Sequence, residues 1–460
     1  MKIFIKIFIC YEIKREVEWM KLEALTFKGG VHFDGFKSLS NQKPWVVAKA
    51  PSVVTIAMHQ HIGAPCEPVV AVGDEVKVGQ KIGEAKAFVS TPVHSSVSGK
   101  VKKIEKITTP DGRSCQAVVI ENNGLDELGY EELSRSLDSL TPEEIRAIVK
   151  ESGITGQGGA SFPTHVKLSV PAENPIDAVI LNGAECEPYL TCDQLLMENQ
   201  PERVLDGLAI IMKAVGAKEG YIAIEDNKQQ AIRILREQNT NEHIHIASLK
   251  AKYPQGDEKR IIDAVLERHV PSGGLPMHVG VVVDNVATAA SVADAVLRGK
   301  PLYERLVTVT GHAAAEPKNV LVKNGTPMSY IVEFAGGFKV QPGKIIMGGP
   351  MMGISQYTLD LPCVKGLSGI LCMTEEEAKP PVVTTCMKCG KCVDVCPVHL
   401  LPLYIQQRAL KGLYDDAQSL HALDCIECGS CSYVCPAKRP LVESIRLAKR
   451  EIRAKEQRVR

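Results

Sequence analysis

The 460 residues carry 54 Lys and Arg against 54 Asp and Glu, a formal net charge of zero, which excludes the basic surplus of a general nucleic-acid binder. Hydrophobic residues make up 45% and charged residues 23%, the composition of a folded globular chain and not of a disordered one. At a prior of roughly 150 residues per domain the chain holds about three units, each able to bury a core.

The opening MKIFIKIFIC is interrupted by Lys6 and followed by EIKREVEW, so it is far short of the ~20 apolar residues of a spanning helix and lacks a small-residue cleavage site. No membrane span or secretion signal is predicted. Met20 begins a more conventional domain start, and residues 1–19 are read as a possible start-site extension. Residues 51–110 alternate short apolar runs with turn signals and predict a small all-β module. Val72-Gly-Asp-Glu-Val and Val93-His-Ser-Ser-Val-Ser-Gly resemble the barrel-sandwich hybrid of biotinyl and lipoyl carriers. Lys86 lacks the hairpin setting of a carrier lysine, so the module is read as structural or docking. His32, His59 and His61 have no metal-ligand spacing and are read as structural.

From about 141 the pattern changes. Thr141-Pro-Glu-Glu opens a helix with an N-cap, proline at the first position and an acidic first turn. Ala178-Val-Ile-Leu, Gly220-Tyr-Ile-Ala-Ile and Gly280-Val-Val-Val are apolar runs of the kind that form strands buried on both faces, with helices predicted over 203–215, 228–237 and 257–268. That is an α/β domain. Residues 304–350 predict a compact unit of the β-grasp type, and Pro380-Pro381 punctuates the approach to a cysteine-rich region.

Eight of the fifteen cysteines fall in two runs, Cys386-x2-Cys389-x2-Cys392-x3-Cys396-Pro and Cys425-x2-Cys428-x2-Cys431-x3-Cys435-Pro. This is the spacing of bacterial two-cluster ferredoxins, in which three cysteines wrap one cube and the fourth reaches the other. The sets therefore interleave: Cys386, Cys389, Cys392 and Cys435 for one [4Fe-4S] cluster, Cys425, Cys428, Cys431 and Cys396 for the second. Zinc sites share the Cys-x-x-Cys element but have no use for a third cysteine and a Cys-Pro, twice over. The other seven cysteines are read as small core residues, with Cys186 and Cys192 set apart because they lie in and beside an acidic strand exit at 181–188. After Pro440 the last 20 residues hold seven basic and three acidic side chains, with Leu441, Ile445, Ala448 and Ile452 on one helical face. Such a tail is a solvated terminal helix or a docking element for a membrane surface or acidic partner.

The glycine loop Thr155-Gly-Gln-Gly-Gly-Ala-Ser-Phe-Pro-Thr-His-Val-Lys167 places three glycines within four residues, exposing backbone amides to an anionic ligand, with Lys167 as a positive charge. No Gly-Lys-Ser/Thr comes after it, so it is not a P-loop. Leu181-Asn-Gly-Ala-Glu-Cys-Glu-Pro leaves a strand with an amide and two carboxylates, and Tyr253-Pro-Gln-Gly-Asp-Glu and Val283-Asp-Asn-Val-Ala-Thr make similar exits. Ligands of open α/β sheets bind at such strand ends.

These four segments, in this order, resemble the flavin- and NADH-binding elements of the complex I flavoprotein subunit family. Together with Gly29-Gly-Val-His32, the carrier-like module, Pro271-Ser-Gly-Gly-Leu-Pro276 and the two ferredoxin motifs, the chain over residues 20–440 resembles the RnfC family of the Rnf ion-translocating electron transport complex. The resemblance implies that Gly156, Gly158, Gly159 and Lys167 hold FMN, with Asn182 and Glu185 near the isoalloxazine and Asn285 and Thr288 as later flavin contacts. Gly256, Asp257 and Glu258 match a Gly-Glu-Glu element on the nicotinamide side, Asp257 replacing its first Glu, and Gln157 stands where the complex I family usually has Arg. Glu187 is read as orienting NADH or as a plain surface carboxylate.

The resemblance also implies a division into 20–135 with the barrel-sandwich hybrid, 136–300 a Rossmann-like FMN/NADH domain, 301–350 a β-grasp (SLBB-type) domain, 351–380 a linker, 381–440 a two-cluster ferredoxin-like helical domain and 441–460 the basic tail. A nicotinamide exchanges hydride, a two-electron event, whereas iron–sulfur clusters carry single electrons, so a flavin is the needed converter. The implied function is a peripheral subunit on the cytoplasmic side of the cell membrane, passing electrons between NAD(H), FMN and two [4Fe-4S] clusters and onward to other Rnf-type membrane subunits. It couples indirectly to ferredoxin and to ion transport. The rival is a soluble cobalamin reductase-like flavo-iron–sulfur protein, and a third reading is a relay in which only the clusters matter.

Overall fold

The computed structural model describes residues 24–459, so the possible start extension 1–19 lies outside the described residues. In the β module, Val53–Ala57 pairs antiparallel with Ser114–Asn122, which pairs with Gly99–Thr108 and then Glu75–Val76. Alternation sends Val54, Ile56, Val101, Val118 and Ile120 into one core, closed by a small sheet of Glu67–Pro68, Lys81–Glu84 and Val93–His94. Lys86 is exposed and ion-paired to Glu67.

The helix predicted to open at Thr141 is Pro142–Glu151, with a capping box between Thr141 and Glu144. Four parallel strands come next, in the order Ile244–Leu249, Glu219–Glu225, Ala178–Gly183, Val281–Asn285. The last three are the continuous apolar runs, buried on both faces. Ile244–Leu249 is an edge strand whose Ile-His-Ile start gives little signal of burial. Helices Pro201–Val215 and Val286–Arg298 pack so closely that a Cβ on Gly207 would overlap the backbone of Ala289. The order places a topological switch point between Ala178–Gly183 and Val281–Asn285, where the connections turn to opposite sides of the sheet.

The third unit departs from the predicted boundaries. Its mixed six-stranded sheet runs Val46–Val47, Lys318–Lys323, Glu304–Thr310, Gly369–Thr374, Pro342–Met347, Ile354–Gln356, with helix Met328–Phe334 against it. Residues 351–380, read as a linker, thus supply an edge strand and an interior strand. The interior strand Gly369-Ile-Leu-Cys-Met-Thr pairs parallel with Glu304–Thr310, a long-range partnership that a local pattern does not announce. Val46–Val47, upstream of the β module, joins the opposite edge.

In the cysteine-rich unit, short helices Lys391–Asp394 and Ser430–Tyr433 start after left-handed Gly390 and Gly429. Helix Leu441–Val459 buries Leu441, Ile445, Ala448 and Ile452 against Pro402–Leu410 and Tyr414–Ser419. Part of its positive charge is used internally, since Arg446 and Lys449 pair with Glu427 and Lys455 with Asp415. Among the described residues no helix is long and apolar enough to cross a membrane.

A thin segment joins these units. Leu25 bridges to Leu249 and Val31 to Tyr253, while the amide of Gly30 donates to the carbonyl of Val395 beside Cys396. Gly30 has φ +83°, and a Cβ there would lie 2.7 Å from the carbonyl oxygen of Tyr253, so only glycine fits without strain. Gly30→Ala should cost about 2 kcal/mol, the scale of a residue forced into a disfavoured backbone region against a fixed neighbour. Denaturant unfolding and amide exchange check this: the midpoint falls and protection at Val31 and Tyr253 is lost first.

Candidate functional site

The switch point is built by two asparagines. Asn182 and Asn285 are register partners at the ends of adjacent parallel strands. Asn182 Nδ2 donates to the Gly256 carbonyl at 2.7 Å while its Oδ1 accepts from the Ala184 amide. Asn285 caps helix Val286–Arg298, its Oδ1 accepting from the amides of Ala287 and Thr288.

The glycine loop folds over this pair. Thr155 and Pro163 bridge at its base, and the Gly156 amide donates to the Phe162 carbonyl. Gln157 is buried: its amide donates to Thr288 Oγ1 at 3.0 Å and its side chain reaches Ala287 and Ser291. A Cβ on Gly158 would stand 2.5 Å from Asn285 Nδ2, so this glycine is what lets the loop lie on the strand end. Gly159 meets nothing within 4 Å and is exposed, leaving its face of the loop open.

Several of the residues predicted as contacts also bond within the chain. Lys167 Nζ donates to the Val283 carbonyl at 2.7 Å and to Glu258 at 3.1 Å. Burial pulls its ammonium down, but the carboxylates of Glu258 and Asp284 outweigh that and raise its pKa. Asp257 caps helix Glu258–Leu266 by accepting from the Arg260 amide, so Asp257 and Glu258 differ in role: one is a cap, the other the partner of Lys167. Glu187 is no plain surface carboxylate. It accepts from the amides of Met351 and Met352 at 3.0 and 2.7 Å, and burial raises its pKa to about 7.

Glu185 accepts from the amide of Asp193 at 2.8 Å, near the start of helix Cys192–Asn199, and Asp193 receives Asn285 Nδ2 at 2.7 Å. Glu185, Cys192 and Asp193 bring their ligand atoms within 4.8 Å of one another, but these hydrogen bonds already use the carboxylates. Burial, then the adjacent Glu185, raises the Asp193 pKa. No sequence pattern marks Asp193, nor Lys37, whose ammonium donates to the carbonyls of Glu185, Glu187 and Leu190. Arg305, from the neighbouring sheet, is a third such residue; it is buried and bonds Gln157 and the Leu367 carbonyl. A cavity of about 280 Å³ is lined by Gln157, Asp193, Arg203, Asp294 and Arg305.

Seven of the eight cysteines group across the two motifs. Cys396, Cys425 and Cys428 all bear electrostatically on Cys431, and Cys386 and Cys435 on Cys392. Sulfurs are met by backbone donors: the amides of Lys388, Glu427 and Leu400 point at Cys386, Cys425 and Cys396 at 3.3 to 3.4 Å. Such donors favour thiolate over thiol. The hydroxyl of Tyr253 donates to the Cys428 carbonyl at 2.9 Å, tying the strand-end cleft to the second motif.

Four family models match in chain order: the RnfC barrel sandwich hybrid domain over 25–125, the Nuo51 FMN-binding domain over 149–294, the SLBB domain over 306–355 and a 4Fe-4S dicluster domain over 382–436. A curated relative from Acetobacterium woodii, named as a subunit of a Na(+)-translocating ferredoxin:NAD(+) oxidoreductase complex, is 49% identical over 94% of this chain and 98% of its own. The chain belongs to the RnfC family. A Clostridium ljungdahlii relative, a subunit of a proton-translocating ferredoxin:NAD(+) oxidoreductase complex, is 47% identical, covering 93% of this chain and 94% of its own. The corresponding subunit of the Rhodobacter capsulatus ion-translocating oxidoreductase complex is 38% identical over 95% and 85%. RnfC membership separates the chain from the cobalamin reductase-like rival.

Gly158→Ala pushes the loop off Asn285 and should lower flavin retention at least tenfold, read by acid-released flavin per chain. For Asp193, a raised native pKa means that the folded state holds a proton the unfolded chain has released, so this group subtracts stability as pH rises from the ordinary carboxylate range towards neutrality and nothing below that range. Asp193→Asn should therefore raise Tm at pH 7, by roughly 2 °C per kcal/mol, with the gain shrinking at pH 4; a gain independent of pH would trace to packing instead.

Proposed function

We propose that this chain is the NAD(H)-facing electron-transfer subunit of an ion-translocating ferredoxin:NAD(+) oxidoreductase, holding FMN over the switch point and two [4Fe-4S] clusters in the C-terminal motifs. The observation that carries the reading is continuity: Cys428 shares one packed apolar cluster with Tyr253, Val31 and Cys186, and the Cys186 sulfur accepts from the amide of Gly256, whose carbonyl accepts from Asn182. A flavin binder and a cluster binder on separate units would have no reason to be welded in this way.

The residues present fit the flavin. Gly159 leaves an open loop face, and buried polar atoms at this end of the sheet lack partners, namely both side-chain atoms of Gln255 and Oδ2 of Asp284. Unbonded buried groups of this kind cost about 1 to 3 kcal/mol each, and a polar ring edge supplies their partners. Gly156, Gly158 and Gly159 offer the phosphate end backbone without side chains. Asn182, Asn285 and Thr288 act by fixing the strand ends and the loop beneath the ring. Glu185 is held from both sides, by the helix amides and by Lys37, and so keeps a fixed carboxylate beside the cleft. Gly256, Asp257 and Glu258 face the nicotinamide side in this reading, with Lys167 positioned through Glu258.

When bound, FMN supplies the conversion between a hydride pair and single electrons, and the clusters supply one-electron conduction. The thiols fit the iron: the two motifs have the two-cluster spacing, and backbone amides point at the sulfurs of Cys386, Cys396 and Cys425. The chain is peripheral in this assignment, on the cytoplasmic face, docked to the other Rnf subunits, with ferredoxin acting through them.

Anaerobic purification tests the reading. Roughly eight irons, from two four-iron clusters, one FMN per chain and bleaching of the visible spectrum by NADH are expected. Iron without flavin and without bleaching would reduce the chain to a relay.

A further inference from the structure

The segment Lys365-Gly366-Leu367, just ahead of strand Gly369–Thr374, meets the glycine loop at three points. Lys365 Nζ donates to the Gly153 carbonyl at 2.6 Å, two residues before the loop, and to the Pro92 carbonyl of the β module at 2.9 Å. A Cβ on Gly366 would lie 2.1 Å from Ser161 Oγ, towards the end of the loop. The Leu367 carbonyl accepts from Arg305, whose guanidinium also bonds Gln157 in the middle. Ser161 has φ 53°, a conformation that a residue with a Cβ adopts only when its surroundings impose it. Start, middle and end of the loop are thus held from a neighbouring unit.

The charge of this segment is also distinctive. Lys167 faces Glu258 and Asp284, Arg203 pairs with Asp294, Lys228 with Glu225 and Lys37 with Glu185. Lys365 is 1% exposed and, among the described residues, has no carboxylate partner. The titratable groups facing it are Cys66, His61 and His94, with Lys81 also bearing on His94. Burial, then the Lys365 ammonium, lowers His61 to about 4 and His94 to about 3, so both imidazoles are neutral, and burial keeps the Cys66 thiol protonated. A buried ammonium without a counterion is costly, and nothing beside it cancels its field. It stands at Gly153, three residues before the first glycine offered to the flavin phosphate.

Resting on the flavin site assigned to this chain, we propose that Lys365-Gly366-Leu367 is part of that site: the segment holds the glycine loop in its anion-receiving shape, and the Lys365 ammonium is the uncompensated positive charge that favours the FMN phosphate. Lys365 is a positioning residue, acting through the loop. Lys167, the cation that follows the loop in sequence, is left to brace Glu258 and the Val283 strand end. Flavin retention then depends on the six-stranded unit as well as on the α/β domain.

FMN and riboflavin, which lacks the phosphate, separate charge from shape. In the full cluster-loaded chain stripped of flavin, Lys365→Met should weaken FMN binding at least tenfold more than riboflavin binding, and Lys365→Arg should keep FMN within threefold of the parent. Equal losses of both flavins, or no loss of FMN, overturn the role of the charge. Should Lys365→Met fail to fold, pH decides the same point in the parent. Burial lowers Lys365 to about 8, so the ammonium is lost between about pH 7 and 9.5, while a phosphate whose second pKa is about 6 stays dianionic. The preference for FMN over riboflavin should fall at least fivefold across that range in the parent and stay level in Lys365→Arg; a level preference in the parent overturns the proposal.

The grip on the loop is tested with Gly366→Ala, whose methyl meets Ser161. It should weaken both flavins alike by at least fivefold, and adding Ser161→Gly should restore both to within twofold; failure of either effect overturns the grip. Exchange of the Gly156 amide, bonded to Phe162 in the parent, needs no flavin and should speed at least fivefold in Gly366→Ala. A parent chain that takes up neither flavin therefore sinks the FMN function, while exchange at Gly156 still decides the grip.

Discussion

The contact on which the rest depends is a backbone approach with no side chain in it. Gly29 and Gly30 run between the carbonyl of Tyr253 on one side and the carbonyls of Val395 and Cys396 on the other, in conformations open to glycine alone. That approach sets how far the strand-end cleft stands from the inner cysteines. Side chains of any size there would move two units apart whose function is conduction between them. The Tyr253 hydroxyl then fixes the orientation by a hydrogen bond to the Cys428 carbonyl.

A second design recurs around the cleft. Buried Lys228, Lys365 and Arg305 and half-buried Lys37 are cations that reach from one segment to main-chain carbonyls of another. Lys37 holds the acidic loop, and Lys228 holds the Ala184 carbonyl with Glu225. Lys365 joins Pro92 of the β module to Gly153 ahead of the glycine loop, and burial lowers its pKa to about 8. Arg305 joins the six-stranded sheet to Gln157. Desolvating a cation is costly unless its hydrogen bonds are filled, and each of these has several. Such pegs make the loops dependent on the neighbouring units for their shape, so the cleft belongs to the whole assembly and not to the α/β domain alone.

What the sequence revealed was whatever is encoded at short range. The cysteine spacings, the glycine loop, the Thr141 capping box and the three continuous apolar strands are local patterns, and each stands where the sequence predicts. The hidden parts depend on distant partners. Lys37 acts on carbonyls 148 and more residues away, and strand Gly369–Thr374 is defined by its pairing with Glu304–Thr310. Lys167 read as a ligand cation because a lysine after a glycine loop suggests an anion; its position beside Glu258 and Val283 emerges only once the sheet is assembled. Asp193 lacked any pattern, since a single carboxylate in a helical first turn is an ordinary cap.

The opening segment also fixes the order of events during synthesis. Leu25, Val31 and Val46 pair with Leu249, Tyr253 and Val320, and Gly30 bonds Val395. The last of these partners leaves the ribosome roughly 365 residues after the first, a wait of about 20 to 70 s at 5–20 residues per second. Leu249, Tyr253 and Val320 emerge before then, so the segment can join its sheets first and meets the cysteine-rich unit last. Any nascent or prematurely terminated product short of Val395 therefore carries the strand-end cleft without its tie to the cysteine motifs.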